Sequence, residues 1–424
     1  MTIRQVDYYR ALYWGLLLFS FSLSLSKSMS TVSLLLVCLA AVFLSVSSRE
    51  FRAGLALNRK QPLTLSLALM IFVAVVGLLF TQNLSDGIRI VHKLSDILLI
   101  YLAVSVLLQA TGDHEEVSGN AERLLLSFVL GLAVLDVIGL MTFVGLIGGK
   151  KFVLPLAPLH VHHIWFANIN AIGIYVAFSF LLFPPKSTSR RMRNMLILFV
   201  LVGAVCILLS TSRTAWLGML ASVLALLFIL IKNRKILFIT VAALVAACVL
   251  IYASNAIVHE RINQISSELR QLSSSADTSI GNRFLMWKAA YSMFLSNPLF
   301  GVGTGDFVPV LREYIRTGVY PTFLLEYNQP HNMYLFALAT NGLIGLAALV
   351  FLFYKVLSGS GRMLKGRGEF RFYGFLALAV TVHFMVAGMT DSLFNIQILR
   401  YAYAFIIGIC MRQSLQETNK GFTE

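Results

Sequence analysis

Residues 214–254 read TAWLGMLASVLALLFILIKNRKILFITVAALVAACVLIYAS, and this stretch decides the fold. Two continuous apolar runs, 214–231 and 236–253, stand on either side of the basic turn Lys232-Asn-Arg-Lys235. A membrane-spanning helix needs ~20 predominantly apolar residues. Barrel strands would alternate apolar and polar with period two, and these runs do not. Two spans joined by a basic turn form a hairpin whose turn faces the cytoplasm.

The rest of the chain repeats that pattern. Of its 424 residues 58% are apolar and only 12% charged, with a mean hydropathy of +0.80. Soluble domains carry about 25% charged residues, so an ordinary soluble globule is excluded, as are disorder, collagen and a disulfide scaffold. The net charge of +15 would suggest nucleic acid in a soluble protein. Here most basic residues cluster between apolar runs and mark orientation instead, so nucleic acid is not expected as a partner. Cys38, Cys206, Cys248 and Cys410 all lie in apolar stretches without a CxxC pair, and read as buried and inert. No cleavable signal is evident, so the first apolar run reads as a retained span.

Twelve spans are expected, at about 11–27, 30–47, 62–80, 94–110, 124–148, 164–183, 195–210, 214–231, 236–253, 331–355, 371–390 and 395–412. With a cytoplasmic N-terminus, 21 of the 34 Lys and Arg fall on the cytoplasmic side. Of the other 13, six lie in one long loop, which carries little weight, so the comparison is 21 against 7. Three regions follow: spans 1–9 in residues 1–253, a large outward loop over 254–330, and spans 10–12 with a short tail in 331–424. The loop has six basic and six acidic residues and is expected to be partly helical. Val258, Ile262, Ile265, Leu269 and Leu272 recur at helical spacing. Phe284, Trp287, Tyr291 and Phe294 continue the pattern up to Asn297-Pro298, and a third helix starts at Asp306 as N-cap and ends before Gly318. No internal repeat is visible.

Four motifs offer chemistry. Arg213, in Ser-Arg-Thr-Ala-Trp (212–216), is expensive at membrane depth without a partner or water. Arginine also offers a charged planar fork suited to phosphate. Arg283 opens the second loop helix. His331, in Gln-Pro-His-Asn-Met-Tyr (329–334), sits where the loop re-enters the membrane, a natural place for proton exchange near neutral pH. Asn-Pro-Leu-Phe-Gly-Val-Gly-Thr-Gly (297–305) fails as a nucleotide motif, since no strand precedes it and no Gly-Lys-Ser/Thr follows. It remains a flexible turn that could let backbone approach a ligand. His160, His162 and His163 invite a metal reading but lack a nearby carboxylate or thiolate, so no metal or other cofactor is expected. Asp136 lies inside a span and Asp391 at an outer boundary. Intramembrane carboxylates can mark ion pathways.

These motifs, in this order, resemble the bacterial O-antigen ligase/polymerase superfamily, concentrated between about 205 and 345. Within it the chain looks most like the ligases that attach O-antigen to lipid A–core. The resemblance implies a GT-C-like helical fold in the inner membrane with its active site facing the periplasm. It implies an undecaprenyl diphosphate-linked glycan as donor, lipid A–core as acceptor, and a metal-independent, inverting transfer. Arg213 and Arg283 match the family's diphosphate-contacting arginines, and His331 its essential histidine. Asp391 matches a functionally important acidic position, and Asn332, beside His331, is taken as a supporting residue. The protein O-oligosaccharyltransferases usually carry a further C-terminal region, and the dozen residues after the last span argue against that branch.

The chemistry agrees with that resemblance. Without nucleotide outside the membrane, the donor must carry its energy in a lipid diphosphate bond, and breaking it calls for preorganised cations. The acceptor hydroxyl must lose a proton, for which His331 is the best-placed base. Two lipid substrates would enter sideways through an apolar groove. Two alternatives stand: an O-antigen polymerase of the same superfamily, and an anion transporter. The transporter predicts mid-membrane polar residues and inverted repeats, whereas the suggestive residues here gather at the outer face. The topology predicts that cysteine placed at Ser274 reacts with an impermeant reagent in intact spheroplasts while cysteine at Ser189 is protected. The reverse pattern inverts the topology.

Overall fold

Short polar side chains start the helices. Ser26, Ser189, Ser212, Asn233, Thr278 and Asn332 each accept a backbone N–H from two or three residues on, satisfying donors that the first turn leaves free. The computed structural model describes residues 3–59, 61–110, 114–148, 151–158, 161–185, 188–271, 278–366 and 368–420. These residues form sixteen α-helices and no strand. They are α1 (Ile3–Ser22), α2 (Lys27–Ser47), α3 (Arg49–Arg59), α4 (Pro62–Gly77), α5 (Leu84–Ala110), α6 (His114–Phe143), α7 (His163–Leu182) and α8 (Arg190–Leu209). The second half contains α9 (Arg213–Leu230), α10 (Arg234–Ser254), α11 (Ala256–Gln271), α12 (Ser279–Ser296), α13 (Phe307–Arg316), α14 (Met333–Lys365), α15 (Glu369–Ala387) and α16 (Gln397–Lys420).

Ten of these helices are long and apolar enough to cross a membrane among the described residues. The protein is a multi-pass membrane protein. The other two expected spans correspond to α1, whose first turns carry Arg4, Asp7 and Arg10, and to α16, described to Lys420 with its side chains described only to Arg412. Three spans run well beyond their expected bounds: α5 begins at Leu84, ten residues before 94, α6 begins at His114, ten residues before 124, and α14 runs on to Lys365. The basic stretch after α2 is itself a helix, α3, which buries Phe51, Gly54 and Asn58.

The bundle centres on α7, α15 and α16, which are buried along most of their described length. Around them α8 packs on α7, α9 on α15, α5 on α16, and α4 with α15 on α14. Three sets of buried polar groups inside the bundle are paired across helices. His383 joins α15 to α7, with Nε2 on the Asn168 amide oxygen at 2.8 Å and Nδ1 taking the Tyr175 hydroxyl at 3.0 Å. Arg400 of α16 meets Asp96 of α5 at 2.9 Å. Asp136 accepts from Asn170 at 2.8 Å. Helix α10 has no buried residue, so Cys248 is exposed on its face rather than buried.

The region between α10 and α14 folds as three helices docked on the bundle, with α12 lying against α14. The face α12 buries is not the aromatic stripe. Gly281, Met286, Ala289, Ala290 and Met293 face inward, while Phe284 and Tyr291 are exposed. Small and flexible side chains let the two helix axes come close. Leu272, expected on the α11 stripe, lies outside the described residues.

The clamp between this region and the bundle is the 297–305 loop. α14 breaks at Gly342 (φ 64°, ψ −157°), a conformation essentially restricted to glycine. The break frees the Ala339 and Thr340 carbonyls and the Leu343 and Ile344 amides, and the loop takes up all four. Val302 N–H donates to Ala339 O (2.8 Å) and Gly303 N–H to Thr340 O (3.2 Å). Leu343 N–H donates to Pro298 O (2.9 Å) and Ile344 N–H to Leu299 O (3.5 Å). Inside a membrane bundle unpaired backbone groups would be costly, so the loop substitutes for a helical turn. Its amides serve α14 rather than a ligand. Asp306 likewise does not cap α13 with its side chain. Its carboxylate accepts from Thr81 Oγ1 (2.6 Å), Gln82 N (2.7 Å) and Asn83 N (2.9 Å), tying the loop to the α4–α5 turn.

A Cβ at position 342 would meet the Leu299 carbonyl. Gly342→Ala is therefore expected to lower stability by about 1–3 kcal/mol or more, read as a clear drop in unfolding temperature of detergent-purified protein. An unchanged midpoint would show that the break tolerates a side chain.

Candidate functional site

His331 precedes the N-cap of α14 and holds a left-handed backbone, φ 48°. Its neighbours account for that conformation. Asn332 Oδ1 accepts from Tyr334 N and Leu335 N at 3.0 Å each, and its amide donates to Met389 O at 3.0 Å. Met333 N–H donates to Gly388 O at 2.8 Å, and Tyr334 OH to Met385 O at 2.8 Å. The start of α14 is thereby stitched to the end of α15.

That stitching sets His331 against Asp391. His331 Nδ1 lies 3.0 Å from Asp391 Oδ1, which also accepts from Ser392 N at 2.8 Å. Asp391 is 2% exposed and the His331 side chain 25%. Against a carboxylate, which accepts, Nδ1 is the donor, and a neutral ring then keeps its lone pair on Nε2. The Tyr327 ring packs edge-on at 5.9 Å between centroids, and Tyr327 OH accepts from Asn282 of α12 at 3.0 Å.

The arginines come from three helices. Arg213 opens α9 and meets Glu268 of α11 at 3.2 Å, both side chains 17% exposed. Glu268 also accepts from Ile280 N, at 3.1 Å, at the start of α12. Arg283, one turn into α12, has no ion-pair or hydrogen-bond partner among the described residues. Burial pulls its pKa down, the Asp391 carboxylate opposes that, and Arg213 adds to it. Arg261 of α11 behaves alike, lowered first by burial and then by Arg213, and donates to Thr211 O and Gln264. Arginines stay charged at neutral pH, so these are desolvated cations. Against these three guanidiniums stand the carboxylates of Glu268 and Asp391, with the exposed Glu260 acting on Arg261.

Arg213, Arg283, His331, Asn332 and Asp391 thus occupy one end of the bundle, with Asn332 acting as a cap. The spacing singles out neither Arg261 nor Glu268, and it offers His162 only as one of the histidine group. His162 caps α7, taking Ile164 N–H on Nδ1 at 3.4 Å, and stacks with His163 at 4.3 Å. Burial lowers its pKa, the Asp391 charge raises it and His331 lowers it. His160 lies outside the described residues. Among the described residues no three His, Cys, Asp or Glu side chains converge. Asp136 is engaged with Asn170 inside the bundle and does not join this cluster.

This geometry can be set beside known proteins. Residues 197–350 match the family model described as O-Antigen ligase. Over those residues the chain is similar to the O-antigen ligase family. That stretch holds Arg213, Arg261, Glu268, Arg283 and His331, while Asp391 lies beyond it. A protein of Haemophilus influenzae, described as uncharacterized, is 26% identical over 147 residues, 34% of this chain and 37% of that protein. The chain thus spans little more than a third of the length of the relative it matches.

Asn332→Ala removes both the cap and the tie to Met389. Loss of a helix cap lowers stability by about 1 kcal/mol, and His331 loses its anchor. A lower unfolding temperature is expected, with α14 amides after Asn332 exchanging hydrogen faster. Unchanged exchange there would mean the cap is not what holds His331.

Proposed function

We propose that the protein is an O-antigen ligase of the bacterial inner membrane, GT-C-like, with its site facing the periplasm. It transfers O-antigen polysaccharide from undecaprenyl diphosphate to lipid A–core, without a metal ion and with inversion. The observation that carries this reading is the His331–Asp391 dyad beside the Arg213, Arg261 and Arg283 cluster.

The chemistry runs as a single displacement. The acceptor hydroxyl oxygen attacks the anomeric carbon of the donor sugar from the face opposite the diphosphate. Its proton passes to Nε2 of His331. Asp391 holds Nδ1–H, fixes the ring and stabilises the imidazolium that forms. The bond from the anomeric carbon to the diphosphate oxygen breaks, and that oxygen keeps the electron pair. Arg213 and Arg283, with Arg261 behind them, stabilise the charge gathering on the leaving undecaprenyl diphosphate. Glu268 holds Arg213 in place before the donor arrives.

Gene deletion with gel analysis of lipopolysaccharide is the decisive experiment. Loss of a ligase leaves core-only molecules while lipid-linked polymer accumulates. Core bearing a single repeat would make the protein a polymerase. In a purified assay Arg213→Ala and Arg283→Ala are each expected to lose ~10²–10³ in rate, and Arg→Lys to be clearly impaired for want of the fork. His331→Gln should lose ~10²–10⁴. Asp391→Asn should come close to that, because an amide N–H facing Nδ1 favours the tautomer whose Nε2 cannot accept. Near-normal transfer by His331→Gln would put the base elsewhere.

A further inference from the structure

The break at Gly342 bends α14 into an elbow, and the elbow borders a cavity. It has about 660 Å³ of atom-free space, part of it continuous with the surroundings. Its walls come from α4, α5, both arms of α14 and the 392–395 turn. Met70, Val73, Ile90, Leu94, Phe336 and Leu349 make it mainly apolar.

Two polar groups in this wall lack partners. Ser392 is 2% exposed, and its Oγ has no hydrogen-bond partner. Lys93 lines the same cavity, and no carboxylate lies within ion-pair distance of it among the described residues. Its charged neighbours are already committed. Arg89 is paired with Asp86 at 2.8 Å and Arg400 with Asp96 at 2.9 Å. One unneutralised ammonium and one orphan hydroxyl therefore belong to residues that line the same mainly apolar cavity. Lys and Ser both donate hydrogen bonds, and Lys can only donate, so the missing partner is an acceptor carrying negative charge.

We propose that the α14 elbow binds the phosphate group of a membrane lipid, held by Lys93 and Ser392, with its hydrocarbon chain along α4 and α5. Because the cavity is walled by membrane-spanning helices, the ligand reaches it sideways from the bilayer. The site is separate from the arginine cluster and does not depend on the transfer reaction. Ser392 adjoins Asp391 in sequence and donates its N–H to that carboxylate, so an occupied elbow would also brace the dyad.

The test is lipid binding by native mass spectrometry of the full detergent-purified chain. The probes are phosphatidylglycerol, lipid A and undecaprenyl phosphate, each against dioleoylglycerol, which has chains but no phosphate, and against millimolar inorganic phosphate as competitor. One phosphate-bearing lipid per chain is expected to bind. Lys93→Gln should weaken that binding about tenfold or more, the scale of a lost charge-assisted hydrogen bond, and Ser392→Ala should weaken it less. Ala337→Phe, which narrows the cavity without changing charge, should also block binding, and it serves if Lys93→Gln fails to fold. The probe with the strongest Lys93-dependent binding names the lipid. Equal binding of dioleoylglycerol, unchanged affinity in folded Lys93→Gln or Ala337→Phe, or displacement by inorganic phosphate alone would overturn the proposal. The readout is binding rather than transfer, so it fails or stands independently of the ligase reading.

Discussion

A helix that must break inside a membrane bundle needs another piece of backbone to complete it, and most of this architecture depends on that requirement. At Gly342 the chain leaves helical geometry, and two carbonyls and two amides of α14 lose their partners. The 297–305 loop supplies all four. Because the same loop is bonded to α4 through Thr304 and to the α4–α5 turn through Asp306, one short segment fastens the extramembrane helices to three parts of the bundle. The docking of α11 and α12 is then no longer free, and neither are the arginines they carry.

The site follows from two such constraints meeting. On one side the start of α14 is sewn to the end of α15, which sets His331 on Asp391. On the other, Glu268 of α11 ties Arg213 of α9 to the start of α12. Neither half positions substrate chemistry alone. Together they bring His331 and Asp391 to the same end of the bundle as a group of desolvated cations, an arrangement suited to the proposed reaction, in which one oxygen loses a proton while another gains charge. Other intramembrane polar groups, His383 with Asn168 and Tyr175 and Arg400 with Asp96, are paired within the bundle. They serve helix packing.

Much was legible in the sequence because the bilayer leaves a chain few options. Continuous apolar runs between basic turns can only be spanning helices, and side-chain chemistry singles out an arginine at a span boundary or a histidine at a re-entry point. Arg213, Arg283 and His331 stand out for that reason. Their partners do not. Glu268 is 55 residues from Arg213 and Asp391 is 60 from His331, and separations of that size carry no periodic signal. Arg261 and Glu268 look like ordinary charges on an amphipathic helix, and His162 like one of a loose histidine group.

The sequence by itself determined the helical class, the multi-pass character, the three loop helices and the residue types able to handle phosphate and protons. Local hydropathy and capping chemistry suffice for these. The tertiary structure alone decided which face of α12 is buried, that Asp306 holds the α4–α5 turn instead of capping its own helix, and that the glycine-rich loop repairs a broken helix. It alone placed an unpaired Lys93 and Ser392 in one cavity. Each of these depends on where hydrogen-bond partners come from across helices distant in the chain, and that is settled only when the bundle closes.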